Sequence, residues 1–445
     1  MSALPVGPNL DRLPRQTNDT LLLISLALLL AGPRVEIAAV GGSSIRLEDL
    51  ILAVLLWKVV QRWKDARDLG YPASGMRVLV AVSILAVFIS VLSGSIMPLS
   101  GMLYGLRQLE YWAVFPVVLY VLMTAGREFE QRLWRLLKFI TVLQVSTAVL
   151  QFSGLLTVSF SKFSLERGAG LTSGPYELGA MCAALACVWF ARGNHGFALV
   201  AVVGLFVSSS RVSILALGVG LLVLVVRQAV GVRRSSAADR ARTSSSFVVV
   251  TFGLAFSALL YPLAAPILIE PLQARVQSTS ISETWAYAGQ YAGFLTPPTT
   301  SDEYVAIAYS GISRGVDFEM LGANGDTSNL VRFFRWQVLL GATNTPSEVI
   351  FGHGPSFAGP SVDGGLLRIF IELGVAGCLA WLLLLRRITA GTRHWFVATV
   401  VIFVVGSVFI DVFFAMRPMI LFWLLAALSR FEVTGAKTQN SVAVN

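Results

Sequence analysis

Long apolar runs separated by short charged segments recur along the whole chain. They predict about twelve helical spans, at roughly 20–33, 48–62, 77–97, 107–125, 137–157, 176–191, 196–208, 212–227, 246–266, 366–385, 395–415 and 417–430. The runs do not alternate between apolar and polar residues, as the strands of a membrane barrel would. The pattern therefore predicts an all-α, polytopic membrane protein.

Composition supports this fold class and orients the spans. Of the 445 residues, 55% are hydrophobic and 13% are charged, against roughly 25% charged in soluble domains. The net charge of +9 is typical of lysine and arginine retained on the cytoplasmic side, so no nucleic-acid partner is predicted. Basic clusters such as 227–242 fall on that side when both termini are cytoplasmic.

This orientation divides the chain into four parts. Residues 1–266 hold the first nine spans, and 267–365 form one large outer loop. Residues 366–430 hold the last three spans, and 431–445 form a cytoplasmic tail. A loop of this length is expected to have its own structure and task.

Neither a cofactor nor a metal site is predicted. The three cysteines, Cys182, Cys187 and Cys378, lie in apolar segments and lack the spacing of zinc ligands with histidine. We interpret them as small core or lipid-facing residues.

The charges of the large loop predict recognition of an anion. It contains four arginines, Arg275, Arg314, Arg332 and Arg335, and no lysine. Arginine offers a planar fork that matches phosphate or carboxylate, whereas lysine offers a point charge. The alternative is that these arginines pair with the carboxylates of the same loop.

Two further outer segments carry arginine. The stretch LFVSSSRVSILAL places Arg211 between two apolar runs. A charge there indicates a function, or an arginine that snorkels to the interface. Arg167 lies in SFSKFSLERGAGLTSGPYELGA, before the sixth span.

The end of the large loop combines a helix-like stretch, RFFRW, with a turn-rich stretch, FGHGPSFAGP. Asp363 follows, nine residues before Glu372, at the start of the tenth span. Asp363 could accept a proton from a substrate, or it could cap the helix that follows. Gly374 and Gly377 predict close helix packing.

Four motifs in this order resemble the superfamily of bacterial O-antigen polymerases and O-antigen ligases. They are ERGAGLTSGPYELGA, SSSRVSILAL, the Arg-x-x-x-Trp of RFFRW, and FGHGPSFAGPSVDGGLLRIFIELGVAG. The resemblance runs from about 165 to 380. Ligases usually have His-Asn at the position that Asp363 and Gly364 occupy here, and an aspartate there resembles the polymerases.

The resemblance implies a fold like that of the GT-C glycosyltransferases and a multi-pass protein of the bacterial inner membrane, with its active site facing the periplasm. It implies metal-independent, inverting transfer of a glycan from undecaprenyl pyrophosphate. The implied partners are the lipid-linked oligosaccharide, membrane lipid and, by analogy, a chain-length regulator.

The same resemblance assigns roles to residues. The expected catalytic residues are Arg211, Arg332 and Asp363. The expected substrate-binding residues are Arg167, Arg335, His353 and Glu303, and the last two are also the alternatives to Asp363 as acceptor of the substrate proton.

Two other functions stay open. A ligase would use the same arginines and differ in its acceptor. A transporter of the lipid-linked repeat would carry charges deep in its spans, around a central cavity.

Overall fold

The computed structural model describes residues 15–32, 36–40, 43–61, 73–96, 98–156, 167–232, 281–293, 295–310, 327–359 and 362–442. Each predicted span within these ranges contains a helix, and the predicted ninth span, 246–266, lies outside the described residues. Five helical stretches are long and apolar enough to cross a membrane: Gly75–Leu92, Gly101–Ala125, Arg127–Phe152, Arg211–Gln228 and Gly365–Thr389. The protein is therefore a helical membrane protein, and the full count of twelve spans stays a prediction.

The first part of the chain is helical apart from one hairpin. Its helices are α1 (Arg15–Ala31), α2 (Leu47–Gln61), α3 (Ala73–Leu92), α4 (Pro98–Ala125), α5 (Arg127–Phe152), α6 (Pro175–Ala191), α7 (His195–Val207) and α8 (Arg211–Val232).

A two-stranded antiparallel sheet accompanies the helices and leaves the predicted all-α class standing. Strand β1 (Glu36–Val40) pairs with β2 (Ser43–Arg46), with Glu36 opposite Arg46. Two short runs separated by Gly-Gly are a hairpin signal, which an analysis of long apolar runs passes over.

The second part begins with the helices of the large loop and ends with three long helices. They are α9 (Ile281–Gly293), α10 (Ser301–Val305, continued by a π-helical turn at Ala306–Ser310), α11 (Thr327–Ala342), α12 (Pro346–Phe351), α13 (Gly365–Thr389), α14 (His394–Gly406) and α15 (Met416–Val442). A short 3₁₀ helix, Val412–Phe414, lies between α14 and α15.

Helix α15 occupies the centre of the bundle. Every side chain from Met419 to Ser429 is buried, as expected of a helix that is apolar on all sides. It packs mainly on α4 and also contacts α6, which is itself buried along most of its length.

The helices of the large loop share a separate hydrophobic cluster. Its buried members combine aliphatic side chains with the aromatic rings of Tyr304, Phe333, Phe334 and Phe357. Helix α9 packs on α11, and α11 also contacts the start of the late bundle through α13. The loop thus has a core that can hold its side chains in place.

Gly374 breaks α13 and also lets α12 approach it closely, as predicted for this glycine. Its φ is +64°, and an added Cβ would fall on the carbonyl oxygen of Ile350. The turn after α12 uses the carbonyls that the break releases, because His353 N–H donates to Ile371 O at 2.8 Å and Gly354 N–H donates to Glu372 O at 2.9 Å. Such pairing is required where helical backbone is interrupted inside a membrane protein.

Candidate functional site

Helix α11 holds one side of the candidate site. Trp336 donates from Nε1 to the carbonyl of Val362 at 3.0 Å. Its ring stacks on Phe409, with centroids 5.8 Å apart. These contacts fix the helix against the segment 362–364, which leads into α13.

Asp363 lies in that segment and pairs with Arg335. Arg335 Nη1 is 3.5 Å from Asp363 Oδ2, and the two side chains are 13% and 32% exposed. Arg335 Nε also donates to the carbonyl of Ala308 at 3.4 Å. The pair is loose and reachable from solvent, so a substrate could compete with either partner.

Asp363 does not cap α13, which corrects one of the two roles expected of it. The N-cap residue is Gly364, and no side chain there accepts a hydrogen bond from the helix. Asp363 instead has a positive φ of 56°. In this left-handed conformation its carboxylate reaches α11 rather than the first turn of α13.

Arg332 lies on α11 one turn before Arg335 and Trp336, on a neighbouring part of the same helix surface. It is only 7% exposed. Its helix packs on α9 and α13, whereas α8, which begins at Arg211, packs on α14, α6 and α7. Helix packing therefore does not bring Arg332 and Arg211 together directly.

Arg211 is the first residue of α8 and is half-buried. The preceding turn is built by Ser208 and Ser209, the latter with φ of +51°. Ser210 and Ser213 hydroxyls lie 2.8 Å apart at the start of the helix. The small residues here allow close packing, because an added Cβ on Gly179 would lie 2.7 Å from Ser210 Cβ.

Arg167 holds this turn. Its Nε and Nη2 donate to the carbonyl of Ser208 at 3.1 and 2.9 Å, and Nη2 also donates to Ser209 O at 2.9 Å. The guanidinium lies over Tyr176, 4.7 Å from the ring centroid. Arg167, expected to bind substrate, thus satisfies carbonyls at the end of α7.

The segment that carries Arg167 is anchored by two glutamines of α5. Gln151 Oε1 accepts from Ala169 and Gly170 N–H at 3.0 and 2.8 Å. Gln144 Oε1 accepts from Leu171 N–H at 2.8 Å. Buried amides that bind backbone in this way fix an irregular segment at membrane depth.

Arg417 is a buried arginine that the sequence analysis missed. It is fully buried at the start of α15 and donates to the carbonyls of Leu171 and Gly32. It therefore joins the ends of α1 and α15 to the segment after Arg167. A charge inside the run FFAMRPMILF was the available signal, and it is the same signal that identified Arg211.

A cluster of buried charges, which the sequence did not reveal, lies beside Asp363. Arg368 of α13 is 2% exposed; its Nε lies 3.1 Å from Glu372 Oε1 and its Nη1 3.3 Å from Asp411 Oδ2. Arg368 also donates from Nη2 to Gly359 O. The i,i+4 spacing of Arg368 and Glu372 was visible in the sequence, but their link to Asp411 depends on the fold.

His353 faces the aromatic cluster. It is 3% exposed, and its ring stacks on Phe357 with centroids 4.2 Å apart. Both ring nitrogens are buried, and neither makes a hydrogen bond of normal geometry to another described residue. Burial lowers the pKa of His353, and Glu348 and the Ala342 backbone oppose this effect. The residue expected to bind substrate is therefore an enclosed ring.

Glu303 has a local structural role. With Thr300 it forms a capping box at the start of α10, and its Oε2 accepts from Thr299 N–H at 2.7 Å and Thr299 Oγ1 at 2.9 Å. The hydrogen bonds from Thr299 and Thr300 lower the pKa of Glu303. Its exposed carboxylate is therefore engaged at the helix end, where sequence analysis expected it to bind substrate.

The remaining predicted features divide between described and undescribed residues. Arg275 and Arg314 lie outside the described residues. Within the described part of the chain, no group of three or more histidine, cysteine, aspartate or glutamate side chains could hold a metal ion.

No family model matches the chain, and no curated protein matches it either. The resemblance to the polymerase and ligase superfamily therefore depends on the four motifs.

Proposed function

We propose that this protein polymerises a bacterial surface polysaccharide at the outer face of the inner membrane. The growing glycan would pass from undecaprenyl pyrophosphate to the next lipid-linked repeat unit. The observation that carries the proposal is the Arg335–Asp363 pair, with 3.5 Å between Nη1 and Oδ2. It places an arginine fork, which suits pyrophosphate, beside a carboxylate that can accept a proton.

The reaction needs charge stabilisation on one side and proton removal on the other. A bond forms between the acceptor hydroxyl oxygen and sugar C1, and the bond from C1 to the pyrophosphate oxygen breaks. The pyrophosphate leaves with the electron pair, so arginines fixed near it lower the barrier. We assign this role to Arg211 and Arg332. A single displacement of this kind inverts C1.

Asp363 is the proposed acceptor of the hydroxyl proton. A carboxylate can act as a general base when it lies within hydrogen-bond reach of the reacting group. Its partial exposure and its loose pairing with Arg335 leave room for an acceptor to approach. Binding of the donor pyrophosphate by Arg335 would weaken the ion pair and release the carboxylate.

Two features of the protein favour a polymerase over a ligase or a transporter. A ligase of the usual pattern would use a histidine at the place of Asp363, and His353 is buried against Phe357 rather than next to Arg335. A transporter would use buried charges along its path. The buried Arg368 and Arg417 are bound to carboxylates and backbone carbonyls of their own bundle, which suits a fixed scaffold.

The test is a gel of surface polysaccharide from a strain that lacks the protein. Complementation with the wild type should restore long polymer. If single repeat units on their final acceptor replace the polymer in the deletion strain, the protein is a polymerase. Long polymer left on the lipid carrier would identify a ligase, and a repeat unit retained on the inner leaflet would identify a transporter.

Asp363→Gly separates the chemistry of Asp363 from its effect on folding. Glycine adopts a φ near +56° without the cost of about 1 kcal/mol that other residues carry in that region. The variant should therefore match or exceed wild type in thermal stability, yet yield no polymer. Asp363→Val, with a branched side chain, should lose both stability and polymer.

A matched control is Asp302→Gly, on an exposed aspartate of the same loop. It should retain polymer. Normal polymer from Asp363→Gly would remove Asp363 from the reaction.

A further inference from the structure

The buried charges beside Asp363 form one connected group. Arg368 lies between the carboxylates of Glu372 and Asp411, with N–O distances of 3.1 and 3.3 Å. Its plane faces Phe414, 4.8 Å from the ring centroid. Breaking such a buried pair by removing one partner is costly, because the other charge is left without compensation.

Asp411 also binds the backbone on both sides of Asp363. Its Oδ2 accepts from Val362 N–H at 2.9 Å, and its Oδ1 accepts from Gly364 N–H at 3.1 Å. These are charge-assisted hydrogen bonds to a carboxylate, which are stronger than neutral ones. The backbone N–H groups of both residues next to Asp363 are therefore held by one side chain from a distant part of the sequence.

Three further contacts hold the same segment. Arg368 donates from Nη2 to Gly359 O, and Trp336 donates to Val362 O at 3.0 Å. Gly365 N–H donates to Ile410 O at 3.2 Å, next to Asp411. Only Asp363 among these residues has a positive φ without being glycine. The surroundings over-determine a conformation that the residue alone would rarely adopt.

We propose that Asp411, held by Arg368, is a positioning residue that fixes the orientation of the Asp363 carboxylate toward Arg335. The effect on catalysis rests on the proposed function. The effect of Asp411 on the backbone around Asp363 does not depend on it. A carboxylate is needed because each oxygen accepts one N–H, while Oδ2 also faces Arg368. An asparagine would present an NH₂ group to one of these donors, so at least one contact would be lost.

The structural part can be tested without a reaction. Hydrogen–deuterium exchange of the full-length protein in lipid nanodiscs should show at least tenfold faster exchange at Val362 and Gly364 in Asp411→Asn than in wild type. The matched control is Glu432→Gln, which removes another carboxylate paired with two arginines, Arg192 and Arg393, in the later part of α15. Unchanged exchange at the two amides in Asp411→Asn would overturn the inference.

A second pair of variants keeps the test decisive if Asp411→Asn does not fold. Asp411→Glu retains the charge but is longer by one methylene, and Arg368→Lys retains the charge but cannot reach three acceptors from a planar fork. Both should accelerate exchange at Val362 and Gly364. Wild-type exchange in both variants would also overturn the inference.

The catalytic consequence is measured as polymerisation of purified lipid-linked repeat units. Asp411→Asn should lower kcat at least tenfold while the KM for the lipid-linked donor stays within twofold, because the arginines that bind pyrophosphate are left in place. Accelerated exchange with wild-type kcat would overturn the positioning role. A wild-type protein that binds the repeat but makes no polymer would refute the proposed function, and the exchange result would still decide whether Asp411 orders the segment.

Discussion

Arginines in this protein differ in what their guanidinium groups bind. Those of Arg167 and Arg417 donate to backbone carbonyls at the ends of helices. Arg368 lies between two carboxylates, and Arg335 shares a looser pair with Asp363. Only the last kind of contact is easily exchanged for a substrate anion, because both partners retain access to solvent. The proposed chemistry therefore centres on Arg335 and Asp363.

A buried histidine predicts a dependence of folding stability on pH. The pKa of His353 lies below its ordinary value of 6.5 because the ring is buried. As pH falls below about 6.5, the unfolded chain binds more proton at this position than the folded protein does. Folding stability is therefore lost on acidification, by at most roughly 1.4 kcal/mol per pH unit for one group.

Thermal unfolding in detergent between pH 7 and pH 5 measures this effect. His353→Phe keeps an aromatic ring against Phe357 and removes the titration, so its midpoint should fall less than that of wild type. His195→Phe, at an exposed histidine, should keep the wild-type dependence. An equal fall in wild type and His353→Phe would assign the pH dependence to other groups.

The sequence could predict which residues are candidates for the site, but not which groups they contact. Arg211 was recognisable because charge is costly between apolar runs, and Arg332 and Arg335 because the large loop contains arginine without lysine. The carbonyl acceptors of Arg167 come from Ser208 and Ser209, and no sequence pattern encodes that contact. Asp411 was passed over because it lies at the end of an apolar run, where a charged residue is ordinary.

At the scale of elements, glycine decides where helices bend and where they touch. Gly374 releases carbonyls of α13 for the turn that carries His353. Gly220 of α8 has another role: an added Cβ would lie 2.7 Å from Ile402 Cδ1 on α14. Helices in membranes approach closely through such small residues.

Gly220→Ala should weaken the contact between α8 and α14. The extra methyl group forces Ile402 to move, at a cost of about 1–3 kcal/mol. Gly218→Ala is a matched control in the same helix, because nothing lies within 4 Å of an added Cβ there. It should be neutral or stabilising by up to about 1 kcal/mol through helix propensity.

Thermal midpoints of the two variants in the same detergent test this expectation. Equal midpoints would mean that α8 and α14 separate enough to accept the methyl group.

The boundaries of the long helices were largely predictable from the apolar runs. The hairpin at β1 and β2 was passed over because its runs are short, and the break at Gly374 was missed because it depends on a glycine conformation rather than on hydrophobic period.

At the scale of the whole molecule, hydrogen bonds connect the segments that carry the candidate residues. Arg167 holds the turn before Arg211, and Arg417 binds Leu171 four residues after Arg167. Asp411, six residues before Arg417, holds the segment of Asp363. The separate motifs of the sequence thus lie at one end of the bundle. Apolar periodicity predicts the bundle, but these long-range contacts between polar groups require the fold.

The orientation of that end is still a prediction from the positive-inside rule, and single cysteines can test it. Asp302→Cys lies on the exposed surface of α10, and Ser235→Cys lies in the basic segment 227–245. A membrane-impermeant maleimide should label position 302 in intact cells and position 235 only after permeabilisation. Cys378 is half-buried, so Cys378→Ser removes its background labelling.

Each outcome of this labelling bears on a different part of the proposal. The positions flank the predicted ninth span, 246–266, so labelling of both in intact cells would mean that this segment does not cross the membrane. Labelling of position 235 alone would reverse the orientation and place Asp363 in the cytoplasm. In that case the protein could not join glycans at the outer face, and the proposed polymerase function would be wrong even if Arg335 and Asp363 bind an anion.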